Sequence, residues 1–312
     1  SAVRAARGGV DLAREEAHVS LDEETGEPTS VEARRDTEAH RLVERLMVAA
    51  NEAVAAWLVA RGLPGMFRVH DPPDPERVHR LAEVAHNFGI EPGFGPVLTP
   101  LGLAAFEAQF RGSKMAPALR TVLGKTLGPA RYTVYPSLHF GLGAPLYLHF
   151  TSPIRRYSDL IVHRALIRAL GLGPDGMTDQ DRVRLEEMAE HVTMTERRSM
   201  AAEREATDRY LAIYMADRVG AIFDARIAGV TRSGLFVRLA ENGADGFIPA
   251  SRLSDEYWIH DETSAALVAQ RSGQRYELGM NVQVKLMEAT PVTGGLLFSM
   301  QSPPRARRND LK

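Results

Sequence analysis

The densest concentration of chemistry-bearing residues is the run His149-Phe150-Thr151-Ser152-Pro153-Ile154-Arg155-Arg156-Tyr157-Ser158-Asp159. Thr151, Ser152 and two arginines surround a predicted helix start, where free backbone N–H groups and the positive end of the helix dipole favour anions. A planar guanidinium there can grip a phosphate with two charge-assisted hydrogen bonds. The run is therefore a candidate phosphate site. An Arg–Asp network of purely structural use fits the same residues, and residue types alone do not separate the two. A Ser152–His149–Asp159 hydrolase triad draws on the same letters, but spacing does not supply its geometry and no nucleophile elbow surrounds Ser152. His163 follows downstream, where a single histidine is more often packed than catalytic.

A second cluster lies in the last third of the chain. Phe236 and Phe247 fall on successive β-like runs, with Arg232, Arg238 and Lys285 near them in the pattern. Aromatics interleaved with cations on a small barrel suit single-stranded nucleic acid, at about 1–3 kcal/mol per stacked base. Two rings turned into the core is the competing arrangement. Two acidic groups, Asp22-Glu23-Glu24 and His260-Asp261-Glu262, have metal-ligand chemistry but read first as polar loops.

These residues need elements to hold them. Residues 10–31 alternate loosely around DEETGEPTS, which predicts a hairpin with the first acidic group at its tip. From Asp36 to Arg61, Ala39, Leu42, Val43, Leu46, Met47, Ala50, Val54 and Leu58 recur at helical intervals, with Asp36 as candidate N-cap and Gly62 and Pro64 as the stop. Asp74 and Pro75 open a second helix running to Gly89. Helical patterns also cover Leu103–Leu127, the stretch entered through Thr151-Ser152-Pro153, and one long Arg/Glu-rich span from Asp181 to Arg218. At Val219 the pattern changes to five short β runs, which fits a Greek-key barrel of the OB type. The tail PPRARRNDLK is basic and reads as disordered.

Composition bounds the class. The 312 residues are 44% hydrophobic and 25% charged, the usage of a folded globular protein of about two domains. No apolar run is long enough to span a bilayer and no signal-peptide core is visible, so a cytoplasmic location without a membrane partner is expected. With no cysteine, a disulfide scaffold, a thiolate nucleophile and a zinc–thiolate site are excluded. A net charge of -2 argues against a uniformly basic nucleic-acid surface, so cations would have to act locally. The first residue is Ser1 rather than Met, and the length is read as a lower bound.

The motif FGLGAPLYLHFTSPIRRYSDLIVHRAL resembles the signature of the RNB catalytic domain of the ribonuclease II / ribonuclease R family, nearer its ribonuclease R branch. HRLVERLMVAANEAVAAWL, MFRVHDPPDPE and AAEREATDRYL extend the likeness, and GAIFDARIAGVTRSGLFVRLAENGADGFIPASRL is similar to the family's C-terminal S1-type RNA-binding domain. The resemblance implies an α/β RNB core, here its helix-rich C-terminal portion over residues 1–218, then an all-β OB-fold barrel over 219–300 and a basic tail over 301–312. It implies processive 3′→5′ hydrolysis of single-stranded RNA to nucleoside 5′-monophosphates with Mg2+, by a monomer. Arg155 matches the family arginine that contacts the scissile phosphate, Glu203 a glutamate near the terminal nucleotide, and Glu44 another active-site glutamate. Ser152, Arg156 and Tyr157, with Arg232, Phe236, Arg238, Phe247 and Lys285 of the barrel, complete the expected RNA contacts. The family's aspartate-rich metal motif has no counterpart, so no metal ligand is expected in this chain and two-metal hydrolysis lacks its carboxylates. Leu12 stands where the family usually carries a stacking Phe. A non-catalytic RNA-binding module built on the incomplete core is the alternative, and a small-molecule hydrolase using Ser152 the third reading.

Overall fold

A computed structural model describes residues 6–10, 16–34, 37–113, 115–262 and 264–301; Leu12, Asp36 and the tail from residue 302 lie outside them. The N-terminal alternation becomes a hairpin, β1 (Glu16–Leu21) against β2 (Pro28–Arg34), with Val19 opposite Val31. At its tip the Asp22 carboxylate accepts from the Glu24 and Thr25 amides and the Thr25 hydroxyl, so this acid is occupied in shaping the turn. Helix α1 (Glu38–Ala60) starts at Thr37, whose hydroxyl accepts from the His40 amide. It stops where Gly62, at φ 62°, lets the Leu63 amide turn back onto the Leu58 carbonyl.

Strands β3 (Phe67–Val69) and β4 (Arg131–Thr133) pair antiparallel, Arg68 opposite Tyr132. The chain between them makes α2 (Pro75–Asn87), α3 (Pro100–Phe110) and α4 (Ala116–Leu127). The single helical stretch expected over 103–127 is thus two helices, folded so that Leu103, Phe106 and Phe110 share a core with Leu119 and Leu123. Buried Glu107 ties them together, accepting from Arg111 and Arg120 at 2.8 Å each.

Helix α5 (Tyr157–Leu170) is the centre of the first half. Its Val162 packs with Ala55 and Leu58 of α1, Phe67 of β3 and Leu148. The adjacent Ile161 and Ala165 meet Leu185 and Ala189 at the start of the long helix. That span is also two helices, α6 (Asp179–Val183) and α7 (Leu185–Ala216), parted at Arg184. At about 1.5 Å per residue, the 32-residue α7 reaches about 48 Å, and its far end buries Leu211, Ala212 and Met215 in the barrel core. Two stretches of these helices are exposed throughout, residues 37–46 of the α1 start and 197–206 in the middle of α7.

Strands β5 (Ile222–Thr231), β6 (Gly234–Leu239), β7 (Asp245–Pro249), β11 (Asn281–Thr290) and β12 (Gly295–Met300) close a barrel in the order β11-β12-β7-β6-β5. Gly246 is required where the Phe298 ring crosses β7: a Cβ there would lie 2.2 Å from it. Between β7 and β11 the chain adds a three-stranded sheet of β8 (Trp258–Asp261), β9 (Ala266–Ala269) and β10 (Arg275–Glu277). Leu278 and Val230 then seat the barrel on the α2–α4 core. No described helix is long and apolar enough to cross a membrane.

Candidate nucleic-acid interface

The helix after the Thr-Ser-Pro run begins at Tyr157, four residues after Pro153, the start that this run predicts. The cause is Asp159, which is fully buried and folds back on the preceding turn. Its Oδ1 accepts from the Ser152 amide at 2.8 Å and from the Arg156 guanidinium at 2.9 Å, and its Oδ2 from the Ser158 hydroxyl at 3.1 Å. The Arg155 and Arg156 amides close the turn on the Ser152 carbonyl. The structural network and the phosphate site therefore fall to different arginines. Arg156 is the N-cap residue and partner of Asp159, whereas Arg155 is exposed with no side-chain partner among the described residues. Tyr157 is exposed beside it.

Behind the turn lies a polar layer. Asn51 of α1 donates to the Tyr147 hydroxyl at 2.9 Å and accepts from the Phe150 amide at 2.9 Å, fastening α1 to the segment that enters the turn. His149 Nδ1 lies 2.8 Å from the Tyr132 hydroxyl. Arg68 covers the Tyr132 ring and pairs with Glu196 of α7. Burial, with Arg156 and Arg68 beside it, holds the pKa of His149 down to about 3. Burial next to His70 and Arg68 does the same to His139, also to about 3. Since Asp159 takes the Ser152 amide and His149 takes Tyr132, the Ser152–His149–Asp159 triad does not form. His163 is packed, stacked on Phe150 at 4.3 Å with its Nε2 on the Phe150 carbonyl. Nothing in the local sequence pattern marks Tyr132, which reaches the site through the β3–β4 pairing.

Glu44 lies on the exposed start of α1 and Glu203 on the exposed middle of α7. Among the described residues no group of three or more His, Asp and Glu is arranged to hold a metal. The donor set at the turn is two arginines, a neutral imidazole and an Asp159 whose oxygens are already in use, which does not fit Mg2+.

On the barrel, Phe236 of β6 stands directly opposite Phe247 of β7, with ring centroids 5.1 Å apart. Leu235, Val237, Leu239 and Ile248 fill the interior, so both rings face outward, and Phe236 is 47% exposed. The competing arrangement, with both rings in the core, is thus not adopted. Arg238 forms a two-bond fork with Asp245 at 2.7 and 2.6 Å, and Arg232 pairs with Glu262 at 3.1 Å. The exposed Arg232–Glu262 pair is weak, about 0–1 kcal/mol, so phosphate can compete for Arg232, whereas the fork holds Arg238 more firmly. Lys285 of β11 lies opposite Ser299. His260 and Asp261 sit on β8 rather than in a loop, and Asp261 accepts from Ser264.

The RNB domain family matches residues 1–171, more than half of the chain, and the S1 RNA binding domain family matches residues 216–300. The chain belongs to the RNB family. Ribonuclease R 1 of Lactococcus lactis is 37% identical to this RNB chain over 300 residues, which is 95% of the chain and 36% of that protein. Ribonuclease R of Escherichia coli is 33% identical over 314 residues, 98% of the chain and 38% of that protein. Among solved structures, Mycoplasma genitalium RNase R in complex with ribose methylated single-stranded RNA superposes with a TM-score of 0.90 at 30% identity, covering 96% of the chain and 47% of that protein. The RNB chain thus spans less than half the length of these relatives, and carries a partial RNB core followed by an S1-type barrel.

Proposed function

We propose that this RNB chain holds single-stranded RNA for 3′→5′ exoribonuclease action that releases nucleoside 5′-monophosphates. Residues 1–218 form the C-terminal portion of the catalytic unit, 219–300 the RNA-binding barrel and 301–312 a basic tail. One observation carries the reading: Asp159 binds Arg156 and locks the turn, leaving the Arg155 guanidinium exposed and without a partner among the described residues, open to a phosphate. Ser152, Arg156 and Tyr157 shape that turn, Glu44 and Glu203 border the path of the strand, and Phe236 and Phe247 stack its bases with Arg232, Arg238 and Lys285 on its phosphates. The magnesium of the complete enzyme, a monomer of the cytoplasm, is held by carboxylates outside this chain.

The commitment of Asp159 to the turn favours a second reading, a module that binds RNA without hydrolysing it. Two measurements test the proposal. With Mg2+ and a labelled single-stranded oligonucleotide, the 312-residue chain is expected to bind without releasing monophosphates; release by the purified chain refutes the placement of the metal ligands. Exchanged for the matching segment of a full-length ribonuclease R, it is expected to sustain turnover. Retained binding with abolished turnover in that chimera establishes the non-catalytic module instead.

A further inference from the structure

We propose that His149 is a further RNA-contacting residue of the Arg155 site, a neutral imidazole that donates from Nε2 to a phosphate oxygen of the bound strand. This rests on the RNA-holding reading above and deepens it. His149 lies on the segment that leads into the 152–156 turn, two residues before Thr151. Two aromatic edges fix its ring, Tyr132 and Tyr147, each with centroids 5.7 Å away.

The tautomer follows from the hydroxyl at Nδ1. Tyr132 is buried, and burial lifts its phenol above the ordinary range, so it keeps its proton and needs an acceptor. Two acceptors lie within its reach, the Ser158 hydroxyl, whose own proton goes to Asp159, and His149 Nδ1 at 2.8 Å, and of these the imidazole nitrogen is the more basic. Accepting at Nδ1 leaves the imidazole proton on Nε2. Burial, with Arg156, Arg68 and Arg155 outweighing the carboxylate of Asp159 around the ring, keeps it uncharged. The ring is only partly buried, and Nε2 has no partner among the described residues. His163, packed nearby, shows the contrast: its Nε2 is spent on a backbone carbonyl. A ring held by two tyrosines with one donor left open is arranged for a ligand, and the adjacent Arg155 makes an anion the natural one.

A neutral donor adds a hydrogen bond without releasing a counterion, so its loss weakens binding at unchanged salt slope. The test uses the 312-residue chain and a labelled oligouridylate, titrated by fluorescence anisotropy over a range of NaCl concentrations. His149→Phe is expected to weaken binding by about tenfold, the size of one hydrogen bond to a charged group, with the wild-type salt slope. His149→Gln, whose amide nitrogen replaces Nε2, is expected to recover most of that loss. Selective 15N-histidine spectra of the wild-type chain read the tautomer without any variant: an Nε2–H form, still neutral at about pH 5, whose resonance moves when RNA is added. An Nδ1–H tautomer, a ring protonated at that pH, or a resonance unmoved by saturating RNA overturns the proposal. So does a salt slope in His149→Phe that falls as it does in Arg155→Ala, because that marks a ring that merely props the turn. A wild-type chain that does not bind the oligonucleotide at all instead refutes the RNA-holding reading, and this proposal with it.

Discussion

Replacing Asp159 by Ala removes the acceptor of three hydrogen bonds at once, from the Ser152 amide, the Arg156 guanidinium and the Ser158 hydroxyl. The carboxylate is fully buried, whereas the Arg156 side chain is 24% exposed and its Nε is already buried without a partner. Removing one member of a buried ion pair costs about 3–5 kcal/mol, and the partial exposure of Arg156 points to the lower end, about 3. For a chain of this size about 2 °C of Tm accompanies each kcal/mol, so Asp159→Ala should melt roughly 6 °C lower. The two tryptophans separate the halves: Trp57 packs with the α1–α5 core and Trp258 lies in the barrel core. Fluorescence in a Trp258→Phe background therefore follows the half that contains Asp159. Asp159→Asn, which can still accept from the Ser152 amide, should lose about half as much. Because the turn holds Arg155, oligonucleotide affinity should fall in Asp159→Ala toward that of Arg155→Ala, while Arg155→Ala itself melts within about 1 °C of wild type, an exposed side chain with no partner among the described residues having little to lose. A Tm within about 2 °C of wild type for Asp159→Ala, or an intact RNA affinity, would refute the claim that this carboxylate builds the site.

Arg155→Ala should weaken RNA binding by this chain and lower the salt slope by about 1, and in a full-length enzyme it should reduce turnover far more than binding; equal losses would make Arg155 a ground-state grip only. Acid should destabilise the fold. His139 and His149 are held neutral to about 3, so the unfolded chain binds more protons below its own pKa of about 6.5, and the stability they contribute is complete above that pH and lost on falling through it toward 3. Between pH 7.5 and 5.5 the pair should cost about 3 kcal/mol, read by urea denaturation, and His149→Gln should halve the dependence; a flat profile over that range would show the rings to be charged or solvated. Phe236→Ala and Phe247→Ala should each weaken oligonucleotide binding by about 1–3 kcal/mol at constant salt slope and little change in Tm, and unaltered affinity would remove the barrel face from the RNA path.

What could be read from the sequence is divided by the range of the interaction that decides each feature. Helix α1 was legible because its apolar residues recur locally, and α2 because Asp74 and Pro75 signal a start within one turn. Periodicity does not say which apolar face is covered, however: Leu42, Val43 and Leu46 keep the helical spacing yet are more than half exposed, while Ala55 and Leu58 are buried. The outward placement of Phe236 was present in the alternation Leu235-Phe236-Val237-Arg238-Leu239, since a strand that buries the odd positions must expose the even ones. The Thr151-Ser152-Pro153 signal does not fix the helix start because local capping chemistry is identical whether a helix or a turn follows, and a carboxylate seven residues beyond Ser152, Asp159, selects the turn. The His149–Tyr132 pair lies further from what local pattern reveals, because it exists only once β4 has paired with β3 and brought Tyr132 beneath the turn. The two arginines of the motif, by contrast, are separated by a contact within one helical turn, Arg156 into the scaffold through Asp159 and Arg155 into solvent. The proposed phosphate site depends on the burial of Asp159 more than on the net charge of the chain, so a charge of -2 does not argue against the proposal.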